Sequence, residues 1–146
     1  MGRWIRITAT TAAFIAGIAV GTTVQSALAA SADTQPAQVF ELRTYAAAEG
    51  KHDALLSRFR DHTMRIFEKH GMQNVGYWIP QGAPDSENTL IYLLAHPSRD
   101  AADANWEAFM EDPEWQAVAD ESQRDGRLIR GLERVYLDPA DFSPMR

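Results

Sequence analysis

Leu90-Ile91-Tyr92-Leu93-Leu94-Ala95 is apolar at every position, and this run constrains the fold more than any other stretch of the chain. Read as a strand, it sends large apolar side chains to both faces of a sheet, whereas a sheet with helices on one side and water on the other alternates. Both faces are therefore expected to be covered, one by helices and the other by the sheet of a second copy packed face to face. The competing arrangement is a monomer in which Tyr92 alone of its face needs shelter.

The rest of the pattern supplies the helices and three more strands. Val39 to Ala46 sets Phe40, Leu42 and Thr44 against Glu41, Arg43 and Tyr45 with a period of two, the pattern of a strand. Leu55, Leu56, Phe59, Ile66 and Phe67 then recur at helical spacing from Lys51 to His70, and Gly71 can take the left-handed conformation that closes a helix. Val75 to Pro80 reads as a second strand, the Gly-, Pro- and Asp-rich segment 81–88 as a hairpin loop, and Thr89 to His96 as the third strand. Pro97 stops it. Ser98 can cap a second helix carrying Trp106, Phe109 and Met110, and Asp112-Pro113 restarts that helix with Asp as cap and Pro as first helical residue. Gly126 ends the segment, and Leu128 to Leu137 is the last strand. The order is βαββαβ, an α+β domain with a four-stranded antiparallel sheet.

The first residues read as an address. Arg3 and Arg6 precede a compact apolar run, Ala12 to Val20, and Ala27-Leu28-Ala29 places small residues where a signal peptidase reads them. Residues 1–29 are expected to be a cleaved signal peptide, residues 30–38 a flexible tether containing Pro36, and residues 39–144 the folded domain. A retained membrane anchor is the competing reading, but a bilayer span takes about 20 predominantly apolar residues, and this segment is diluted by Thr8, Thr10, Thr11, Thr22 and Thr23. The expected location is outside the cytoplasm, periplasmic or extracellular, with no stable membrane insertion after cleavage. Loss of two arginines would move the formal charge from −6 to −8. So acidic a chain, with no Lys/Arg cluster, excludes nucleic acid as an expected partner. The chain has no cysteine, so its stability rests on its core rather than on disulfides.

Several motifs fall in an order that resembles a known family. Glu41-Leu42-Arg43-Thr44-Tyr45, Arg58-Phe59-Arg60-Asp61-His62-Thr63, Lys69-His70-Gly71-Met72, Val75-Gly76-Tyr77-Trp78, Asp112-Pro113-Glu114-Trp115 and Asp141-Phe142-Ser143-Pro144 together resemble the NIPSNAP family over roughly Val39 to Pro144. The resemblance implies a ferredoxin-like fold that pairs into a dimeric α+β barrel. It carries no established reaction, and it implies architecture rather than substrate. This chain has one domain copy and a leader, so roles proposed for mitochondrial relatives are not transferred to it.

Candidate site residues are placed by this frame. If the apolar side of strand one packs on the helices, Glu41, Arg43 and Tyr45 point into the dimer barrel, where Tyr77 or Trp78 and Tyr92 join them and seat a carboxylate or aromatic ligand. The structural alternative is an ion pair of Arg43 with Glu41 or Glu133. His62 falls at the flank of the Leu55, Phe59, Ile66 stripe and reads either as a proton donor or acceptor to a ligand between helix and sheet, or as a buried histidine bonded to a carbonyl. His96, ending the third strand before Pro97, serves either the barrel mouth or the free amides of the next helix. His70 reads as a capping residue, His52 as a surface residue, and Arg58, Asp61 and Arg65 as a solvated ion-pair ladder. Trp106, Phe109 and Trp115 have core spacing.

No histidine pair has metal-ligand spacing, so no metal is expected. No cofactor is expected either; a lone axial histidine for haem has precedent in the wider superfamily but no local signature here. Nucleophile elbows, phosphate loops and cysteine nucleophiles are absent from the sequence. The favoured function is a homodimer that binds a small apolar or acidic molecule. The alternative is a small cofactor-independent oxygenase or isomerase using His62 or His96 with Arg43 to polarise a carbonyl or enolate.

Overall fold

The computed structural model describes residues 38–145; the leader, and all of the tether but Gln38, lie outside the described residues. Strand β1 (Val39–Ala47) is succeeded by a continuous helical segment composed of α1 (His52–Arg58), a π-helical turn (Phe59–Thr63) and α2 (Met64–Lys69). Then come β2 (Gln73–Trp78), a short 3-10 turn (Asp85–Glu87), β3 (Thr89–His96), α3 (Arg99–Glu111), α4 (Pro113–Ser122) and β4 (Ile129–Leu137). The four strands pair in the order β2-β3-β1-β4, antiparallel throughout. This is the expected βαββαβ arrangement, and β3 and β1 lie in the centre of the sheet.

The helix boundaries are set by local chemistry. Ser98 Oγ accepts from Ala101 N at 3.1 Å and opens α3, and Asp112 accepts from Glu114 N at 2.8 Å and opens α4, with Pro113 in the first turn. Gly71 closes α2 at φ 75°. A Cβ there would stand 3.3 Å from Asn105 Nδ2 in a left-handed backbone. Gly71→Ala is thus expected to lower stability by about 1 kcal/mol, read as a lower urea midpoint at unchanged m-value. Gly76 has a different reason: Trp78 folds back over it, and a Cβ would meet the indole at 2.6 Å.

The two sheet faces divide the core. Tyr45, Ala47, Leu90, Tyr92 and Leu94 meet Leu55, Phe59, Ile66, Phe67 and Phe109 beneath the helices. On the opposite face Phe40, Leu93 and Ala95 form a smaller cluster with Leu42 and Val75. The expectation for β1 is therefore reversed: its mixed side, Glu41, Arg43 and Tyr45, packs on the helices, and its apolar side, Phe40 and Leu42, faces away from them. Both faces of β3 do hold buried residues. In the single chain, part of the second cover is the segment after β4: Phe142, Pro144 and Met145 border a groove of about 380 Å³ together with Phe40 and Leu93. Leu137 in its lining and Val135 outside it remain exposed.

The π turn changes the phase of the first helical segment. One extra residue in the turn rotates the later part of the helix by about 100° against an uninterrupted α-helix. Thr63 rather than His62 therefore continues the buried stripe from Leu55 and Phe59 to Ile66 and Phe67. The Thr63 hydroxyl donates to the Arg58 carbonyl at 3.2 Å, a side-chain-to-backbone bond across the irregular turn.

Candidate functional site

Alternate residues of a strand share a face, so Glu41, Arg43 and Tyr45 lie in a row beneath α3. Arg43 Nε donates to Glu41 Oε1 at 2.7 Å, and a terminal nitrogen of Arg43 donates to Tyr45 Oη at 3.0 Å. The second carboxylate oxygen, Oε2, accepts from Trp106 Nε1 at 2.7 Å and lies 2.9 Å from His96 Nε2. The Arg43 guanidinium sits 3.6 Å above the Trp106 ring. Glu41 and His96 are completely buried. Burial alone would raise the Glu41 pKa, but hydrogen bonds from His96 and Trp106 and the Arg43 charge outweigh it and hold the carboxyl at about 2. For Arg43, burial lowers the pKa, and the Tyr92, Tyr45 and Glu41 oxygens more than reverse that, so the net direction is upward. The result is a charge-balanced network with both carboxylate oxygens engaged; among the described residues only His96 Nδ1 within it is buried without a partner.

A different arginine lacks such balance. Arg58 is only 6% exposed, yet it forms no ion pair among the described residues. One terminal nitrogen is 3.4 Å from Ser122 Oγ, Nε has no hydrogen-bond partner, and the guanidinium stands 5.2 Å from the Trp115 ring centroid. Burial pushes its pKa below the ordinary arginine value, offset in part by the Tyr45 and Tyr92 oxygens. Arg58 borders two spaces at once. Outside is a groove of about 440 Å³ between α1, the π turn and α4, lined by Ser57, Asp61, His62, Ala117 and Glu121 among others. Inside is a cavity of about 160 Å³ between sheet and helices, walled by Tyr45, Phe59, Phe67, Trp106 and Trp115 among others.

The sequence candidates separate accordingly. Arg43, Tyr45 and His96 come together in the Glu41 network under the helices, not in a barrel on the other face. His96 neither stands at a mouth nor caps α3; it is bonded to Glu41. Tyr77 also faces the helices, stacked on Tyr92 at 5.5 Å and donating to Asn74 Oδ1. Trp78 lies on the opposite face and is exposed. His62 is exposed at the outer groove rather than directed at the sheet edge. His62→Gln is accordingly expected to change stability by no more than about 0.5 kcal/mol in a thermal melt, and a loss above about 1 kcal/mol would mean that the ring is buried in solution.

The ion-pair ladder on the first helix does not form. Arg58 is buried, and Arg65 instead pairs with Glu114 of α4. His70 does more than cap: its Nε2 lies 2.6 Å from Asp112 Oδ2, which also accepts from Lys69 at 2.7 Å, tying the end of α2 to the start of α4. His52 is half-buried, with Nε2 enclosed and without a partner. Sequence reasoning missed Arg58 as a site residue because it was read as one rung of a ladder with Asp61 and Arg65, and the π turn that follows Arg58 and puts them out of register has no signature in the residue pattern.

Among the described residues no group of three His, Asp or Glu side chains is placed to hold a metal ion. At His96 a haem does not fit: Nε2 is engaged by Glu41, and the inner cavity is far smaller than a porphyrin. No helix of the described residues is long and apolar enough to cross a membrane.

Element order and sheet topology define an α+β domain of the ferredoxin-like class. The NIPSNAP family model matches residues 40–144, and the chain belongs to the NIPSNAP family. It is similar to the crystal structure of a NIPSNAP family protein of unknown function from Agrobacterium tumefaciens, with 28% identity and a TM-score of 0.66, covering 77% of this chain and 96% of that one. Another Agrobacterium tumefaciens NIPSNAP family protein is 28% identical with a TM-score of 0.65, covering 75% and 99% of the two chains. An uncharacterized NIPSNAP domain protein from Burkholderia xenovorans, 24% identical over 73% of this chain and 98% of that one at a TM-score of 0.62, shares the fold. No curated protein is significantly similar to the chain.

Proposed function

We propose that this NIPSNAP-family chain is an exported, homodimeric protein that holds a small apolar or acidic molecule in the cleft between helices and sheet. The observation that carries the reading is the aromatic-walled cavity of about 160 Å³ under the helices. Protein cores are close-packed, and a partly open pocket of this size leaves its lining atoms without contacts that a ligand can supply. Cavities of about 150 Å³ are large enough for a single benzene ring. Export rests on the basic, apolar and Ala-x-Ala segments of residues 1–29. Mass spectrometry of exported protein should find Ala30 at or near the N-terminus. Pairing of two copies rests on the apolar sheet face that carries Phe40, Leu42, Leu93 and Val135.

The cleft is tested with benzyl alcohol and benzoate as single-ring probes. Either one is expected to raise the melting temperature by mass action and to shift the indole N–H resonances of Trp106 and Trp115. If neither probe shifts them at millimolar concentration, the cavity does not bind and the reading falls. No observation favours the oxygenase or isomerase alternative, because His62 is exposed and His96 and Arg43 are both committed to Glu41.

A further inference from the structure

We propose that the inner cavity is a carboxylate pocket in which Arg58 receives the anion, and that its ligand class is an aromatic or compact apolar monocarboxylate entering through the groove between α1 and α4. This rests on the proposal that the cleft holds a small molecule, and it specifies which one by chemistry.

The charge inventory of the interior is the starting point. The buried charged side chains among the described residues are Glu41, Arg43, Arg58 and Asp112, besides His96. Glu41 and Arg43 neutralise each other, and Asp112 is held by Lys69 and His70. Arg58 has no carboxylate, only a long contact to Ser122 Oγ and the Trp115 ring. A buried cation without a counter-charge is costly, and a bound carboxylate removes that cost while pairing with the unpartnered Nε edge of the planar fork.

Position and size narrow the ligand. Arg58 borders both the outer groove and the inner cavity, so a carboxylate held there would leave its apolar body among Phe59, Phe67 and Trp115. The cavity of about 160 Å³ admits one ring or a short branched chain and nothing larger. Asp61 and Glu121 line the groove outside; their repulsion acts on every entering anion but grows with its charge, and so disfavours dicarboxylates and phosphates more than a monocarboxylate. The π turn starts at the residue after Arg58, and the Thr63 hydroxyl holds the Arg58 carbonyl. Local irregularity of this kind recurs where a helix aims a functional side chain.

The full chain is titrated with sodium benzoate and with benzyl alcohol, read by the Trp106 and Trp115 indole resonances, in the wild type, Arg58→Met and Arg58→Gln. The wild type is expected to bind benzoate at least tenfold more tightly than benzyl alcohol. Both variants are expected to lose at least tenfold in benzoate affinity, to keep benzyl alcohol within twofold, and to melt no lower than the wild type, since an unpaired buried charge has been removed. Equal binding of the two probes by the wild type would overturn the carboxylate inference and leave the cleft reading standing. Binding of neither overturns both. Benzoate affinity retained in a folded Arg58 variant would place the anion elsewhere and likewise overturn it; should both variants fail to fold, the wild-type preference alone decides.

Discussion

Glu41→Gln is expected to destabilise the domain by about 3–5 kcal/mol, the penalty of orphaning one member of a buried ion pair. Arg43 would keep its charge under α3 without a counter-ion, and the amide would present a donor where His96 or Trp106 now donates. Replacing both partners, Glu41→Leu with Arg43→Met, should recover most of the loss, because a well-packed apolar pair is often no worse than a buried salt bridge.

The same residue sets an acid limit. The Glu41 carboxyl lies at about 2 in the folded chain against an ordinary glutamate value of 4.5, so its contribution is fully present above about pH 4.5 and lost as pH falls toward 2, roughly 3 kcal/mol in all. Urea midpoints measured from about pH 6 to about pH 2 should show the wild type losing roughly 3 kcal/mol more than Glu41→Gln over that range. The slope that remains belongs mainly to Asp112, also held below the usual carboxylate range by Lys69 and His70. A variant that retains the full wild-type slope would show that Glu41 is not the group that titrates.

Element order was legible in the sequence because it rests on local chemistry. Ser98, Asp112-Pro113 and Gly71 mark helix ends through hydrogen bonds and dihedral freedom within a few residues, and those ends fall where the pattern puts them. Which face of β1 meets the helices was not legible. Period-two alternation defines two faces without saying which is inside, and polarity argued for placing Phe40 and Leu42 there. The partners that make Glu41 and Arg43 acceptable inside, His96 and Trp106, lie 55 and 65 residues from Glu41 in sequence. His62 and Arg58 were misplaced for a second physical reason. A helical wheel assumes one rotation per residue, and the π turn at Phe59–Thr63 breaks that assumption between Leu55 and Ile66, the stripe used to place His62, and between Arg58 and Arg65, its expected ladder partner.

Val135→Glu is expected to convert the proposed dimer to monomer without unfolding it. Val135 is 51% exposed in the single chain and pairs with Leu42 across β1 and β4 on the face away from the helices. A charge there is solvated in the monomer and costs no more than about 0.5 kcal/mol. In a face-to-face dimer the two-fold axis introduces the charge twice, each time into an apolar interface where an unpaired carboxylate is poorly tolerated. Leu93→Glu is less discriminating, because Leu93 is already buried between Phe40 and Ala95 in one chain and the change would unfold monomer and dimer alike. Light scattering at high micromolar concentration should give a dimer mass for the wild type and a monomer mass for Val135→Glu, with unchanged circular dichroism. A wild-type monomer would end the dimer proposal; a dimeric Val135→Glu would mean that the copies pair through another surface and that the segment from Asp138 to Met145 is the main cover of this face.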